Sequence, residues 1–176
     1  MKRALLSVWN KENIVELARF LIKNDFEIIS TGGTKQILLD HNVNVTSISH
    51  VTKSEEIMNG RVKTLHPKIF GGILADHTNE NHLKDLNSIN SKIIDLVVVN
   101  LYPFEDMASN KNMGLNKLIE YIDVGGPSML RAAAKNYKDV AVITSSNQYD
   151  ELINEIKKKK GSTSLQFREK MSSEAF

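Results

Sequence analysis

IIDLVVVN, residues 93–100, decides the fold. The run is apolar apart from Asp95 and Asn100 and ends in three valines, which suits a strand covered on both faces. Working outward, Arg3–Val8 (RALLSV), Phe26–Ser30 (FEIIS) and Val140–Thr144 (VAVIT) read as further strands, with a weaker one over Val43–Ile48. Between the first two, Ile14, Leu17, Ala18, Leu21 and Ile22 recur at i, i+3, i+4, i+7 and i+8, the spacing that lines one face of a helix. Further helices are expected over Thr34–His41, Leu115–Tyr121, Pro127–Asn136 and Gln148–Lys158. Strands alternating with helices predict an α/β fold, a parallel sheet sandwiched by helices in a Rossmann-like three-layer arrangement. No internal repeat is present.

Composition narrows the function. The 176 residues suit one domain with a short appendage, and 41% apolar with 25% charged residues excludes disorder. A formal charge of +2 is too small for a nucleic-acid footprint, while a pI near 8.7 suits an anionic small molecule. With no cysteine, disulfides, zinc–thiolate sites and thiol nucleophiles are ruled out. The opening MKRALLSVWNKEN has an apolar stretch of only about five residues, short of a signal-peptide core, and no run approaches the roughly 20 residues of a membrane span. A cytoplasmic protein with no membrane partner is expected.

Ligands of open α/β sheets bind outside the carboxyl ends of the strands, so the loops there carry the candidate chemistry. After the first strand, Asn10 is placed to cap the next helix and Lys11 to meet an anion. After the second comes Thr31-Gly32-Gly33-Thr34, whose glycines let backbone amides approach a phosphate; a plain β-to-α connector reads the same way. In Gly60-Arg61-Val62-Lys63-Thr64-Leu65-His66-Pro67, Arg61 could grip a planar anion and Lys63 could donate to a developing oxyanion, or the loop is simply basic and solvated. His66 reads as a structural residue before a turn-forming proline, and His77 and His82 as surface decoration rather than metal ligands. Val99 and Asn100 end the deciding strand and lead to Tyr102, and the amide and the phenol can both bond a heterocycle. Asp123-Val124-Gly125-Gly126 supplies a carboxylate and a second glycine turn before a helix with Pro127 at its start. Lys135, in the last turn of that helix, taken alone only offsets the helix dipole.

In this order and spacing, Ser7 with Lys11, STGGT (30–34), GRVKTLHP (60–67), NLYPF (100–104) and IDVGGPSMLRAAAKN (122–136) resemble one family. It is the bifunctional purine-biosynthesis family that carries inosine monophosphate (IMP) cyclohydrolase and aminoimidazole carboxamide ribonucleotide transformylase activities. The resemblance spans nearly the whole chain but only the amino-terminal portion of that family, whose fold there is similar to methylglyoxal synthase. It implies a cyclohydrolase domain over residues 1–145 and, over 146–176, a helical extension toward a transformylase portion. It also implies a homodimer and a nucleotide substrate, the formamido-imidazole carboxamide ribonucleotide, closed to IMP with loss of water.

By that resemblance, Ser7, Asn10, Lys11 and Thr31–Thr34 hold the phosphate or ribose. Arg61, Val62, Thr64, Val99, Asn100, Val124, Gly125 and Gly126 complete the substrate site. Asp123 orients or deprotonates the attacking amide, Lys63 and Tyr102 donate protons or stabilise the oxyanion, and Lys135 is the principal proton donor or acceptor. A lysine shuttling protons at neutral pH needs burial or a cationic neighbour, such as Arg61, Lys63 or Arg131. No metal or organic cofactor is implied. Trp9 stands where the family commonly has a small residue, either stacking on ribose or packing, with no catalytic part assigned. Pro127 follows the glycine pair where others often have a branched residue. Residues 165–176 resemble the start of the helical connection, so the chain reads as an excised domain or a natural stand-alone form. Lys157–Lys160 reads as a solvated helix end before Gly161, ahead of a nuclear-targeting signal. Two rivals remain: a nucleotide-sensing regulatory module of the same fold, which has no use for Lys63, Asp123 and Lys135, and methylglyoxal synthase itself, whose smaller site would not need NLYPF or the RVKT loop.

Overall fold

The structure, a computed structural model, describes residues 1–109 and 113–176. The chain order is β1 (Lys2–Val8), α1 (Ile14–Lys23), β2 (Phe26–Ser30), α2 (Gly32–Asp40), β3 (Thr46–Ser47), α3 (Ile48–Thr52), α4 (Pro67–Leu74), α5 (Glu80–Ser88), β4 (Leu96–Asn100), α6 (Phe104–Ala108), α7 (Leu115–Ile119), α8 (Gly125–Lys135), β5 (Ala141–Ile143), α9 (Tyr149–Lys158) and α10 (Leu165–Ala175). All pairings of the five-stranded sheet are parallel, in the order β3-β2-β1-β4-β5. Helices α1, α2 and α9 group together and α4, α8 and α10 form the other group, so the sheet is the middle of three layers. The expected α/β sandwich is observed.

The four strong strand expectations hold to within a few residues. β4 begins at Leu96 rather than Ile93, and just before it the Asp95 carboxylate accepts from the Arg3 amide at 2.8 Å. Leu96 to Val99 are all buried, as a doubly covered strand requires. The weak strand shrinks to Thr46–Ser47 at the sheet edge, and Ile48 instead opens α3. On α1 the buried face is Ile14, Val15, Leu17, Ala18 and Leu21, while Ile22 is 38% exposed. Four of the five expected residues are therefore on the inward stripe, with Val15 in place of Ile22. Helices α3, α4, α5 and α6 were not expected; α3 and α6 have five residues each, and α5 buries only Leu86. His66 caps α4, its Nδ1 accepting from the Lys68 amide at 3.1 Å, with Pro67 at the first helical position.

Register is what prepares the site. Val8 lies beside Asn100 and Leu6 beside Ser30, so β1, β2 and β4 end nearly level. The winding reverses at β1: the chain proceeds to β2 and β3 on one side, then to β4 and β5 on the other. That switch point opens a crevice at the carboxyl ends. Phe167 and Met171 of α10 are buried with the strands in one core. No described helix is long and apolar enough to cross a membrane.

Tyr149 is 3% exposed, and its hydroxyl meets no hydrogen-bond partner among the described residues. Burial, helped by the charge of Glu12, pushes this phenol up to about 12. A raised folded-state value gives stability that is complete below the ordinary phenol value of 10 and is lost as pH rises through about 12. The two-unit difference corresponds to about 3 kcal/mol. Urea unfolding between roughly pH 9 and pH 12 should show a fall in stability that Tyr149→Phe removes. Parallel curves for the two proteins would refute the assignment.

Candidate functional site

At the end of β1 the chain is tied to β4 by one side chain. The Asn100 Oδ1 accepts from the Trp9 amide at 2.6 Å and the Asn10 amide at 2.9 Å, and its Nδ2 donates to the Asn10 carbonyl at 3.1 Å. The sequence reading gave this amide to a heterocycle; most of its capacity is instead spent on the backbone of residues 9–10. Asn10 does not cap α1 either. Its side chain accepts from the Glu12 amide, and the helix begins after Asn13, whose φ is 56°.

The turn after β2 is the cationic side. Gly32 has a φ of +53°, the left-handed region where a side chain is strained, and the turn runs directly into α2. The Lys63 ammonium stands 3.6 Å from the position a Gly32 Cβ would take, and the Lys11 Cε stands 3.8 Å from that of Gly33. Two cations thus border the amides of the turn. Lys11 also donates to the carbonyls of Val8 and Trp9, and burial holds its pKa below the ordinary lysine value. Thr34 was expected to touch phosphate, but its buried hydroxyl accepts from the Val8 amide and donates to the Val8 carbonyl, both at 3.0 Å, stitching α2 to β1. Thr31 donates to the Glu56 carboxylate at 3.3 Å. Glu56 went unremarked in the sequence; only its position four residues before Gly60 could have drawn attention to it.

The third side is made by residues 57–64 and 119–126. Ile57 and Val62 form an antiparallel bridge that closes the basic loop, which turns Val62 away from the cleft. Arg61 does grip a planar anion with both prongs, and that anion is the Glu120 carboxylate. The pair is exposed, and each partner strengthens the ionised form of the other. Gly126 is required by close approach: a Cβ there would lie 2.3 Å from Asp123 Oδ2 and 2.8 Å from Leu101 Cδ2. Asp123 Oδ1 accepts from the Gly126 amide at 2.8 Å, so the carboxylate sits at the positive end of α8. Tyr102 faces the same cleft. Burial, then the charges of Asp123 and Tyr121, raise its pKa above the ordinary phenol value and keep it a proton donor at neutral pH.

These segments enclose one open cleft of about 490 Å³. Of the expected residues, Ser7, Lys11, Thr31 to Thr34, Arg61, Lys63, Thr64, Asn100, Tyr102 and Asp123 to Gly126 line it. Asn10, Val62, Val99 and Lys135 do not. Val99 points into the core, 1% exposed. Lys135 is the last residue of an 11-residue helix and lies six residues, about 9 Å along the axis, beyond Met129, the last residue of that helix to line the cleft. His77 is no surface ornament: its ring approaches Asp139 at 3.8 Å, while His82 accepts from the Asp76 amide. Among the described residues no cluster of three or more histidine or acidic side chains forms a metal site.

Known proteins resemble this chain over most of its length. The MGS-like domain family model matches residues 13–128, and the AICARFT/IMPCHase bienzyme model matches residues 133–176. The bifunctional purine biosynthesis protein PurH of Staphylococcus epidermidis is 52% identical over 157 residues, covering 89% of this chain and 32% of that protein. PurH of Lactobacillus acidophilus is 49% identical over 176 residues, covering 100% and 34%. The chain therefore spans about a third of the length of these curated relatives. The crystal structure of ForH superposes with a TM-score of 0.86 at 31% identity, covering 99% of this chain and 91% of that one.

Because Asn100 holds the 9–10 turn through three bonds, Asn100→Ala should lower stability by about 1–3 kcal/mol in urea unfolding. An unchanged midpoint would show that the turn holds itself.

Proposed function

Since the chain belongs to the MGS-like domain family and matches the amino-terminal part of the bifunctional purine biosynthesis protein, we propose that it is the IMP cyclohydrolase. The reaction closes the formamido-imidazole carboxamide ribonucleotide to IMP. The observation that carries this reading is the pairing, in one cleft, of a protonated phenol with a carboxylate, opposite a cationic glycine turn. The turn at 31–34 with Lys11 and Lys63 suits a phosphate dianion. The ends of β2 and β4 lie two strand spacings apart, roughly 10 Å, a span that suits a mononucleotide laid across β1.

In this reading the carboxamide nitrogen attacks the formyl carbon, forming the new C–N bond. Asp123 Oδ2, the oxygen not bonded to Gly126, receives or orients the amide proton. Tyr102 donates to the formyl oxygen as it gains charge, giving a carbinolamine. The hydroxyl then leaves as water with the proton of the former formamide nitrogen, and a C=N bond remains. The residues supply acid–base chemistry and alignment, and the step calls for no cofactor. Lys63, expected as an oxyanion donor, borders the phosphate side in this state of the cleft, so its charge serves the anion there.

Lys135 enters a cleft only from a second copy, given its place at the far end of α8; a homodimer with shared sites is therefore part of the proposal, as is a cytoplasmic location. Residues 146–176 would lead from the cyclohydrolase domain toward the transformylase portion of the longer relatives.

Purified chain given the formylated ribonucleotide should form IMP, followed by ultraviolet absorbance, without added metal. Absence of turnover would sink the reading. Asp123→Asn and Tyr102→Phe should each lower kcat by roughly 10²- to 10³-fold. Lys135→Ala should abolish turnover while sparing nucleotide binding, and mixing it with Asp123→Asn should restore part of the activity. Full activity of Lys135→Ala removes that residue from the mechanism; failure of the mixture removes the shared site.

A further inference from the structure

Trp9 is the only tryptophan of the chain, and it stands in the mouth of the cleft, 41% exposed. Its ring centroid lies 4.7 Å from that of Tyr102 at 40° and 6.3 Å from that of Tyr121 at 85°. Tyr102 and Tyr121 meet edge to face at 5.7 Å. Three aromatic side chains from three separate segments thus brace one another, and the Trp9 backbone is itself pinned by Asn100. A large apolar ring at a surface normally has rotamer freedom; this one is held in place before any ligand arrives.

Position gives the braced indole its meaning. The cleft is polarised, with Lys11, Lys63 and the glycine turn on the β2 side and the aromatic trio on the β4 side. A ligand that satisfies both has an anion at one end and a planar π-system at the other. Resting on the cyclohydrolase reading, we propose that Trp9 is a substrate-binding residue, its indole forming, with Tyr102 and Tyr121 behind it, the wall on which the heterocycle of the nucleotide stacks. Stacking on a pre-placed ring also serves closure, because it holds the imidazole plane still while its two substituents are brought together. The bond-forming chemistry stays with Asp123 and Tyr102.

The full chain provides its own reporter. IMP should quench the Trp9 fluorescence saturably, whereas ribose 5-phosphate, which has the anion but no base, should compete with IMP and leave the emission unchanged. By calorimetry, Trp9→Ala should weaken IMP by roughly ten- to a hundredfold, as loss of one base–aromatic stack does. Its affinity for ribose 5-phosphate should stay the same, which also certifies the fold, and Trp9→Phe should recover most of the loss. Unaltered IMP affinity in Trp9→Ala, an equal loss for both ligands, or a Trp9→Phe as weak as the alanine variant would each overturn the proposal. Wild-type protein that binds IMP with quenching yet forms none from the formylated substrate refutes the cyclohydrolase reading alone. Wild-type protein that binds no IMP refutes both.

Discussion

Val8 beside Asn100 and Leu6 beside Ser30 is the pairing on which the molecule depends. A parallel sheet sets its register continuously along each ladder, so a slip at β1 would displace every loop that follows a strand. Level ends let one buried hydroxyl, Thr34, close β1 against α2, and one amide, Asn100, close β4 against the turn after β1. The cleft is the space left between those two closures. Its floor is rigid because its polar ties are made within the protein, and ligand-facing groups are what remains after them.

The same economy of hydrogen bonds explains what the sequence could and could not disclose. Strands were legible because Leu96 to Val99 and Ala4 to Leu6 are buried on both faces, and uninterrupted apolar runs have few other uses. The turns that gather at the cleft were legible from where the strands end and from the resemblance. The partners of individual polar groups were hidden. Nothing local tells that Asn100 will serve backbone, or that Arg61 will find Glu120, 59 residues away. Helix α5, which buries only Leu86, lacks the stripe that betrays α1. Lys135 shows the opposite case: its place in the motif was plain, while its distance from the cleft follows only from the length of α8.

Charge in the cleft is arranged in layers. Lys11 is partly buried, and burial lowers its pKa, a cost that on the proposed function a bound phosphate would offset. The Arg61 and Glu120 pair stands at the rim in solvent, where such pairs contribute little to stability. Asp123 lies farther in, with one oxygen held at the start of α8 and Tyr102 kept protonated near it. Each of the two has its own partner: the start of α8 for the carboxylate, and the rings of Trp9 and Tyr121 for the phenol.

Glu56 on Thr31 changes how entry to this cleft should be pictured. The hydroxyl beside the glycine turn already has an anionic partner, so on the proposed function an arriving phosphate would take part in an exchange, not a simple addition. Like charges repel at that corner, so on the same reading the carboxylate would give way to the newcomer. Glu56 and Lys63 flank the same bridged loop, between Ile57 and Val62, so a shift of the one would bear on the other through that loop. Occupancy would then be felt at the loop as a whole, making it the part of the molecule whose mobility answers most directly to whether the cleft is full.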